Sequence, residues 1–290
     1  MGKIGIITDS SCDLSAETLA QYNIHILPLR VIYKDREYLD KIDISPEELY
    51  ASLKHEHPST SLPDINYAQS LINRLKSEGY SHFIFVCVSE VLSGTINCIR
   101  ILMEDHSEID YHICDGKTVG FPIGAMALKI RELVDNNISF DKIKEAFPII
   151  RENTRGYIAV NTLEFLVKGG RISALKGTLG EILSMKPIIS SNDAGQLFDF
   201  ATIRGRKKSI SKLKEVLEGY LKDSPCRVWV LHGDALDEAS KFFEDIKNLP
   251  NITSCTLEVI GAAMGVHTGP GVVGFCVQRE LGNKELLLTD

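Results

Sequence analysis

The sequence predicts an α/β protein in two parts, a doubly wound parallel sheet followed by a mixed α+β domain, and three observations carry that reading. In the first half, short apolar runs rich in β-branched residues alternate with helical-period stretches of about ten residues or more, the pattern of parallel strands joined by crossover helices. Beyond about Gly156 the style changes, and two strands meet through Asn192-Asp-Ala-Gly195, a hairpin turn signal. The length of 290 residues fits about two domains, each with its own core. We therefore divide the chain into residues 1–156 and 157–290.

Lys3 to Thr8 reads as a strand, and Asp9-Ser-Ser-Cys-Asp-Leu-Ser15 turns it into a helix from Ser15 to Tyr22. Asp9 then stands at a strand's carboxyl end, where open α/β sheets place ligands; turn formation and capping are the alternative. An apolar run from Ile24 to Tyr33 precedes the polar turn Lys34-Asp-Arg-Glu37 and a helix started by Ser45 and Pro46, which ends by His57-Pro58. Ser59-Thr-Ser61 gathers hydroxyls just before a helix with Tyr67, Leu71, Ile72 and Leu75 on one face. The apolar run from Phe83, which breaks at Ser93-Gly94-Thr95, reads as a buried strand feeding a helix supported by Ile96, Ile99 and Met103, so Ser93 sits near its N-cap. There the free helix N–H groups satisfy a hydroxyl or face an anion.

Ile109 to Cys114 is the next strand, followed by a helix on Ile123, Ala127, Ile130 and Val134. A helix from Phe140 should stop before Pro148. Then come the strand Gly156 to Val160, a helix from Thr162 to Val167, the break Lys168-Gly-Gly-Arg-Ile-Ser173 and a second helix to about Met185. The remaining strands are Lys186 to Ser190, Gln196 to Ile203, Arg227 to Leu231, Thr253 to Ile260 and Val272 to Gln278. Helices on Ile210, Leu213, Leu217 and Leu221, and on Ala239, Phe242 and Ile246, separate them, the first following the basic stretch Arg204-Gly-Arg-Lys-Lys208. His267 is expected in a loop among Gly261, Gly265, Gly269 and Gly271.

A net charge of −7 argues against nucleic acid as the main partner. No run approaches the roughly 18 apolar residues of a membrane span, and the chain opens on a strand with no signal segment, so a cytoplasmic protein is expected. Seven cysteines without a C-x-x-C pair read as reduced core residues, not a disulfide or zinc framework. Gly116-Lys-Thr118 resembles the tail of a phosphate loop, but Tyr111 stands where the earlier glycine belongs. Ser93 with His267 and Asp9 invites a serine esterase reading; a nucleophile elbow, however, needs glycines where Val91 and Thr95 stand.

Thr8-Asp9-Ser10, Thr60-Ser61-Leu62-Pro63, Leu92-Ser93-Gly94-Thr95, Lys168-Gly-Gly-Arg-Ile-Ser173, Lys186-Pro187-Ile188 and His267-Thr-Gly-Pro-Gly271, in this order, resemble the DegV family. Its members include the fatty-acid-binding subunits of bacterial fatty acid kinase. The resemblance spans nearly the whole chain and implies two α/β domains with a buried lipid between them, no cofactor and no catalytic machinery. By it, the ligand site comprises Thr60, Ser61, Ser93, Gly94, Thr95 and His267, the hydroxyls of Thr60 and Ser93 holding the carboxylate of a long-chain fatty acid with His267 nearby. Arg204 lies where the family uses an arginine in working with the partner kinase, which makes the acyl phosphate. The sequence departs from the family at Leu62, usually glutamine, and at Gly116, usually serine. A buried carboxylate needs donors, so two helix N-termini and a histidine are expected to converge on it.

Overall fold

The computed structural model describes residues 2–171, 185–286 and 288. Strand β1 (Lys3–Asp9) leads through a 3-10 turn over Ser10–Cys12 into α1 (Ala16–Gln21), whose Ser15 hydroxyl accepts from Thr18 N. Strand β2 (Ile24–Leu27) lies parallel to β1. Pro28 follows it and has no N–H for a ladder, and the chain leaves this sheet. Next, β3 (Arg30–Ile32), β4 (Glu37–Leu39) and β5 (Ser59–Ser61) form a separate antiparallel sheet in the order β4-β3-β5. The apolar run from Ile24 to Tyr33 thus serves two sheets, and the reach after Lys34 holds a strand as well as a turn. Between β4 and β5 lies α2 (Pro46–Ser52), with Ser45 and Glu48 as a capping box. The hydroxyls of Ser59–Ser61 do not cap a helix. They lie on an edge strand, and α3 (Ile65–Ser77) is capped by the Asp64 carboxylate on Tyr67 N.

Strand β6 (Tyr80–Cys87), α4 (Thr95–Glu104), β7 (Asp110–Asp115) and α5 (Phe121–Asp135) complete a four-stranded parallel sheet in the order β2-β1-β6-β7. The order reverses between β1 and β6, which opens a crevice at their carboxyl ends. Leu71, Ile72 and Leu75 of α3 and Ile96 and Ile99 of α4 cover one face; α5 covers the other. After it, α6 (Phe140–Glu152) runs through Pro148 instead of ending before it. Ile143, Ala146, Phe147 and Ile150 form one buried face that spans the proline, while Pro148 itself is exposed. Packing of that face offsets the backbone bond that the proline ring forfeits.

The second half contributes β8 (Thr154–Ala159), α7 (Glu164–Lys168), β9 (Met185–Ser191), β10 (Leu197–Arg204), α8 (Arg206–Asp223), β11 (Cys226–Gly233), α9 (Leu236–Ile246), β12 (Ile252–Val259), α10 (Ala262–Thr268) and β13 (Val272–Arg279). Six of these strands form one sheet in the order β10-β9-β8-β13-β11-β12, antiparallel except for the β11–β12 pair. Residues 192–195 make the expected hairpin between β9 and β10. The expected helix running to about Met185 falls on residues 172–184, outside the described residues, as do Ile172 and Ser173. His267 is not in a loop: it belongs to α10, where Ala262, Ala263 and Val266 pack inward and outweigh the flanking glycines. Arg206, Lys207 and Lys208 do not precede α8 but form its first turn.

Helix α5 joins the two large sheets. Phe121, Ile123, Met126, Ala127 and Ile130 are fully or almost fully buried, and the helix packs on β1 and β6 on one side and on β8 and β13 on the other. Over its first two turns, Phe121 to Ala127, every residue is buried, as a helix start enclosed between layers requires, while Lys129, Arg131, Glu132 and Asp135 give the second half a polar side. Replacing the exposed Pro148 of α6 by alanine restores a helix N–H, and Pro148→Ala is expected to raise the unfolding free energy by about 1–3 kcal/mol. Urea denaturation checks this; a less stable variant would show that the proline fits the native backbone without strain.

Candidate binding site

The site is laid out by side chains of the segment Asp9 to Asp13. Asp9 caps the 3-10 turn through Ser11 N and also accepts from Val88 N at 2.8 Å. Ser10 Oγ accepts from Leu29 N at 3.0 Å, and Asp13 Oδ1 accepts from Gly261 N at 2.8 Å. Each bond fixes the root of a different segment. Val88 opens the loop to Ser93, Leu29 precedes β3, which pairs Val31 with Thr60 of β5, and Gly261 is the N-cap of α10, which carries His267. Asp9 does not face the cavity described below; it acts in the turn-forming role.

Between the parallel sheet, α10 and the six-stranded sheet lies a cavity of about 290 Å³. Its apolar wall includes Phe121, Pro122, Ile158, Ile189, Leu231 and Met264. Thr60, Ser61, Ser93, Gly94 and His267 also line it, so five of the six ligand residues expected from the sequence come together. The sixth, Thr95, is fully buried behind them; its hydroxyl pairs with Ser93 Oγ at 2.8 Å and its N–H donates to the same atom. Ser93 precedes the N-cap, which is Gly94. Thr60 Oγ1 and His267 Nε2 share a hydrogen bond of 2.7 Å, and Ser61 Oγ accepts from Arg30 at 3.2 Å. One helix start and one strand edge therefore meet here in place of two helix N-termini, because Thr60 and Ser61 are strand residues. Leu62 lines the mouth with an apolar side chain.

A residue that sequence reasoning gave no role completes the cluster. Arg171 lines the cavity and is held by a bond from its guanidinium to Gly169 O at 2.6 Å. The sequence carries a signal for it, since Arg171 sits inside the Lys168-Gly-Gly-Arg motif. Burial, and secondarily the Arg171 charge, lowers the His267 pKa to about 4. The imidazole is neutral near pH 7, and the cavity's polar lining includes hydroxyls, this histidine, the Arg171 cation and the buried Asp13 carboxyl, whose ionisation burial disfavours. Such a lining suits an anion. Nδ1 of His267 is buried with no hydrogen-bond partner among the described residues. It packs on Gly169, where any side chain would overlap the ring.

The arrangement does not assemble a Ser–His nucleophile. Ser93 Oγ engages Thr95, and His267 Nε2 engages Thr60. Arg204, paired with Met185 at the end of β10, is exposed and lies outside the cavity, and its guanidinium makes no hydrogen bond or ion pair with a described residue. Its neighbour Arg206 instead ties elements of the second half together, pairing with Glu238 at 2.6 Å and donating to Ala159 O and Gly271 O.

The family model for an uncharacterised protein of the DegV family matches residues 3–280. The chain belongs to the DegV family. A DegV domain-containing protein of Clostridium perfringens is 45% identical over 281 residues, covering 97% of this chain and all of its own. Among solved DegV structures, the Bacillus subtilis protein, described as a fatty acid binding protein, is 29% identical with a TM-score of 0.88 over 97% of this chain and 100% of that one. A stearic acid-binding protein from Eubacterium ventriosum is 25% identical with a TM-score of 0.86, covering 96% and 98%. The DegV fold, with its parallel sheet and second mixed sheet, is therefore that of this chain. No helix among the described residues is long and apolar enough to cross a membrane.

Two outcomes follow for the DegV site. Gly169 has an ordinary right-handed backbone with φ of −73°, so Gly169→Ala tests space alone. It should displace the His267 ring and break the bond to Thr60, seen as a moved imidazole resonance by NMR; an unmoved ring would mean that the neighbouring backbone yields instead. Asp13 is buried, and burial raises its pKa to about 7 despite Lys41 and the Gly261 N–H, with Asp40 and Asp9 adding to the rise. A carboxyl with a raised folded-state pKa binds its proton more tightly in the native state. Its contribution is complete below about pH 4 and is lost as pH rises through about 7. Asp13→Asn, which still accepts from Gly261 N, should flatten the stability curve over that window in urea titrations; an unchanged pH slope would contradict the assignment.

Proposed function

We propose that this protein binds a long-chain fatty acid with its carboxylate among Thr60, Ser61, Ser93, His267 and Arg171, and presents that carboxylate to a partner kinase that converts it to an acyl phosphate. The observation that carries the reading is an apolar cavity ending in hydroxyls, a neutral histidine and a cation. Fatty acid binding by DegV relatives supports it, and the kinase step rests on the resemblance of the motifs around Ser93, His267 and Arg204 to fatty acid kinase subunits.

The division of labour follows from magnitudes. Burying the tail contributes roughly 0.8 kcal/mol per methylene, so a chain of about a dozen carbons outweighs the head group in affinity. The polar end then sets orientation and meets the desolvation requirement of the carboxylate. Arg204 is exposed and outside the cavity, its guanidinium without a partner among the described residues, which supports a role toward the kinase over one toward the lipid.

Two variants test binding and presentation separately. Ser93→Ala removes a hydrogen bond to a charged acceptor and should weaken fatty acid binding by about tenfold or more, from a loss of about 1.5–3 kcal/mol. Arg204→Ala should leave binding unchanged and lower acyl-phosphate formation in the presence of the kinase, most visibly at low salt, since exposed charges act mainly on association. Equal binding by Ser93→Ala would move the head group elsewhere, and wild-type turnover by Arg204→Ala would reduce that residue to surface charge.

A further inference from the structure

A second compartment adjoins the cavity. It has a volume of about 420 Å³ and shares the wall residues Thr118, Gly156, Ser190 and Ser191 with the apolar cavity. Three cations line it: Lys117, Arg151 and Arg155. Lys117 is half-buried, and its ammonium makes no ion pair or hydrogen bond with any described residue. Arg151 donates to Asp115 O at 3.2 Å, lies 5.8 Å from the Phe147 ring centroid, and has no carboxylate partner among the described residues. Arg155 pairs with Asp193, whose side chain is 94% exposed, a pair that solvent screens heavily. The remaining acid lining the compartment, Glu152, is exposed.

Hydroxyls add donor capacity at the shared wall. Thr118 Oγ1 and Ser191 Oγ lie 2.9 Å apart, so one proton joins them and the other remains free to donate. The unpaired, half-buried Lys117 ammonium, together with two arginines and a spare hydroxyl proton in the same lining, is placed to bind an oxyanion through several donors. Lys117 comes from the Gly116-Lys-Thr118 stretch that resembles the end of a phosphate loop. The loop itself is absent, since Lys117 N donates to Asp115 Oδ1 and Gly116 N to Cys87 O. What remains is a cationic pocket in place of a nucleotide cradle.

We propose that this compartment is a second anion site, which takes a small oxyanion either free in solution or as the far carboxylate of an α,ω-dicarboxylic acyl chain lying in the adjoining cavity. The tethered form rests on the fatty-acid reading above and would extend the ligand class to chains oxidised at both ends. The free form stands without that reading.

Lys117 has φ of +47°, so Lys117→Asn removes the charge while suiting the left-handed backbone, and Lys117→Arg keeps the charge. Isothermal titration calorimetry with inorganic phosphate, hexadecanoic acid and hexadecanedioic acid on the full chain reads all arms. A preference for the diacid over the monoacid that falls about tenfold in Lys117→Asn, and is retained in Lys117→Arg, assigns the tethered carboxylate. Saturable phosphate binding that falls about tenfold in Lys117→Asn assigns a free anion. If Lys117→Asn alters neither phosphate nor diacid binding, the inference is overturned. Failure of hexadecanoic acid to bind any of the proteins would count against the fatty-acid reading and leave the phosphate result to decide this one.

Discussion

Three backbone N–H groups, those of Val88, Leu29 and Gly261, are held by side chains of a single five-residue turn, Asp9 to Asp13. These bonds are buried, where a donor left without a partner costs about 1–3 kcal/mol, so each strongly specifies its segment. Because the three segments carry Ser93, Thr60 and His267, one turn at the carboxyl end of β1 sets the relative positions of side chains that are far apart in sequence. The parallel sheet places that turn at its switch point, and Asp13 reaches from it to the helix of the second half. Burial raises the pKa of Asp9, as it does that of Asp13. The turn thus uses carboxyl groups where their ionisation is disfavoured, and its geometry depends on the donors around them.

The same physics shapes the cavity. Apolar residues from α5, β8, β9 and β11 supply a surface that a hydrocarbon chain can fill without any directional contact. Direction comes only from the polar end. Desolvation keeps His267 neutral, so Arg171 brings positive charge to the cavity wall, while Arg30 is turned to Ser61 Oγ and Leu62 O. The absence of a Ser93–His267 bond and the engagement of both side chains elsewhere favour holding an anion over attacking an ester.

Much of this is legible in the sequence because local chemistry and global fold agree along most of the chain. Ser15, Ser45 with Glu48, and the 192–195 turn each mark an element end with residues that can satisfy the backbone there. The failures share a cause. Local propensity misplaces Pro148 and His267, because α6 and α10 are held by buried faces that propensity does not see. Ser59–Ser61 looks like a helix cap because Asp64, the actual cap, lies only three residues beyond Ser61, and the pairing of β5 with β3 is a contact between distant segments. Arg171 stands within a recognisable motif without a role, since only the fold brings it to the cavity wall. The apolar wall itself is invisible as a site: Ile158, Ile189 and Leu231 are ordinary strand residues until β8, β9 and β11 are brought into one sheet.

The central claim is that a fatty acid carboxylate is held, ionised, among Thr60, Ser93, His267 and Arg171. Fatty acid labelled with carbon-13 at the carboxyl and bound to the protein tests it directly by NMR. The account predicts a bound resonance that stays in the carboxylate position well below the pH at which carboxylates in water take up a proton, since donors and a cation favour the charged form, and that shifts in Thr60→Ala. A resonance that titrates as in water, or no bound resonance at all, would contradict it.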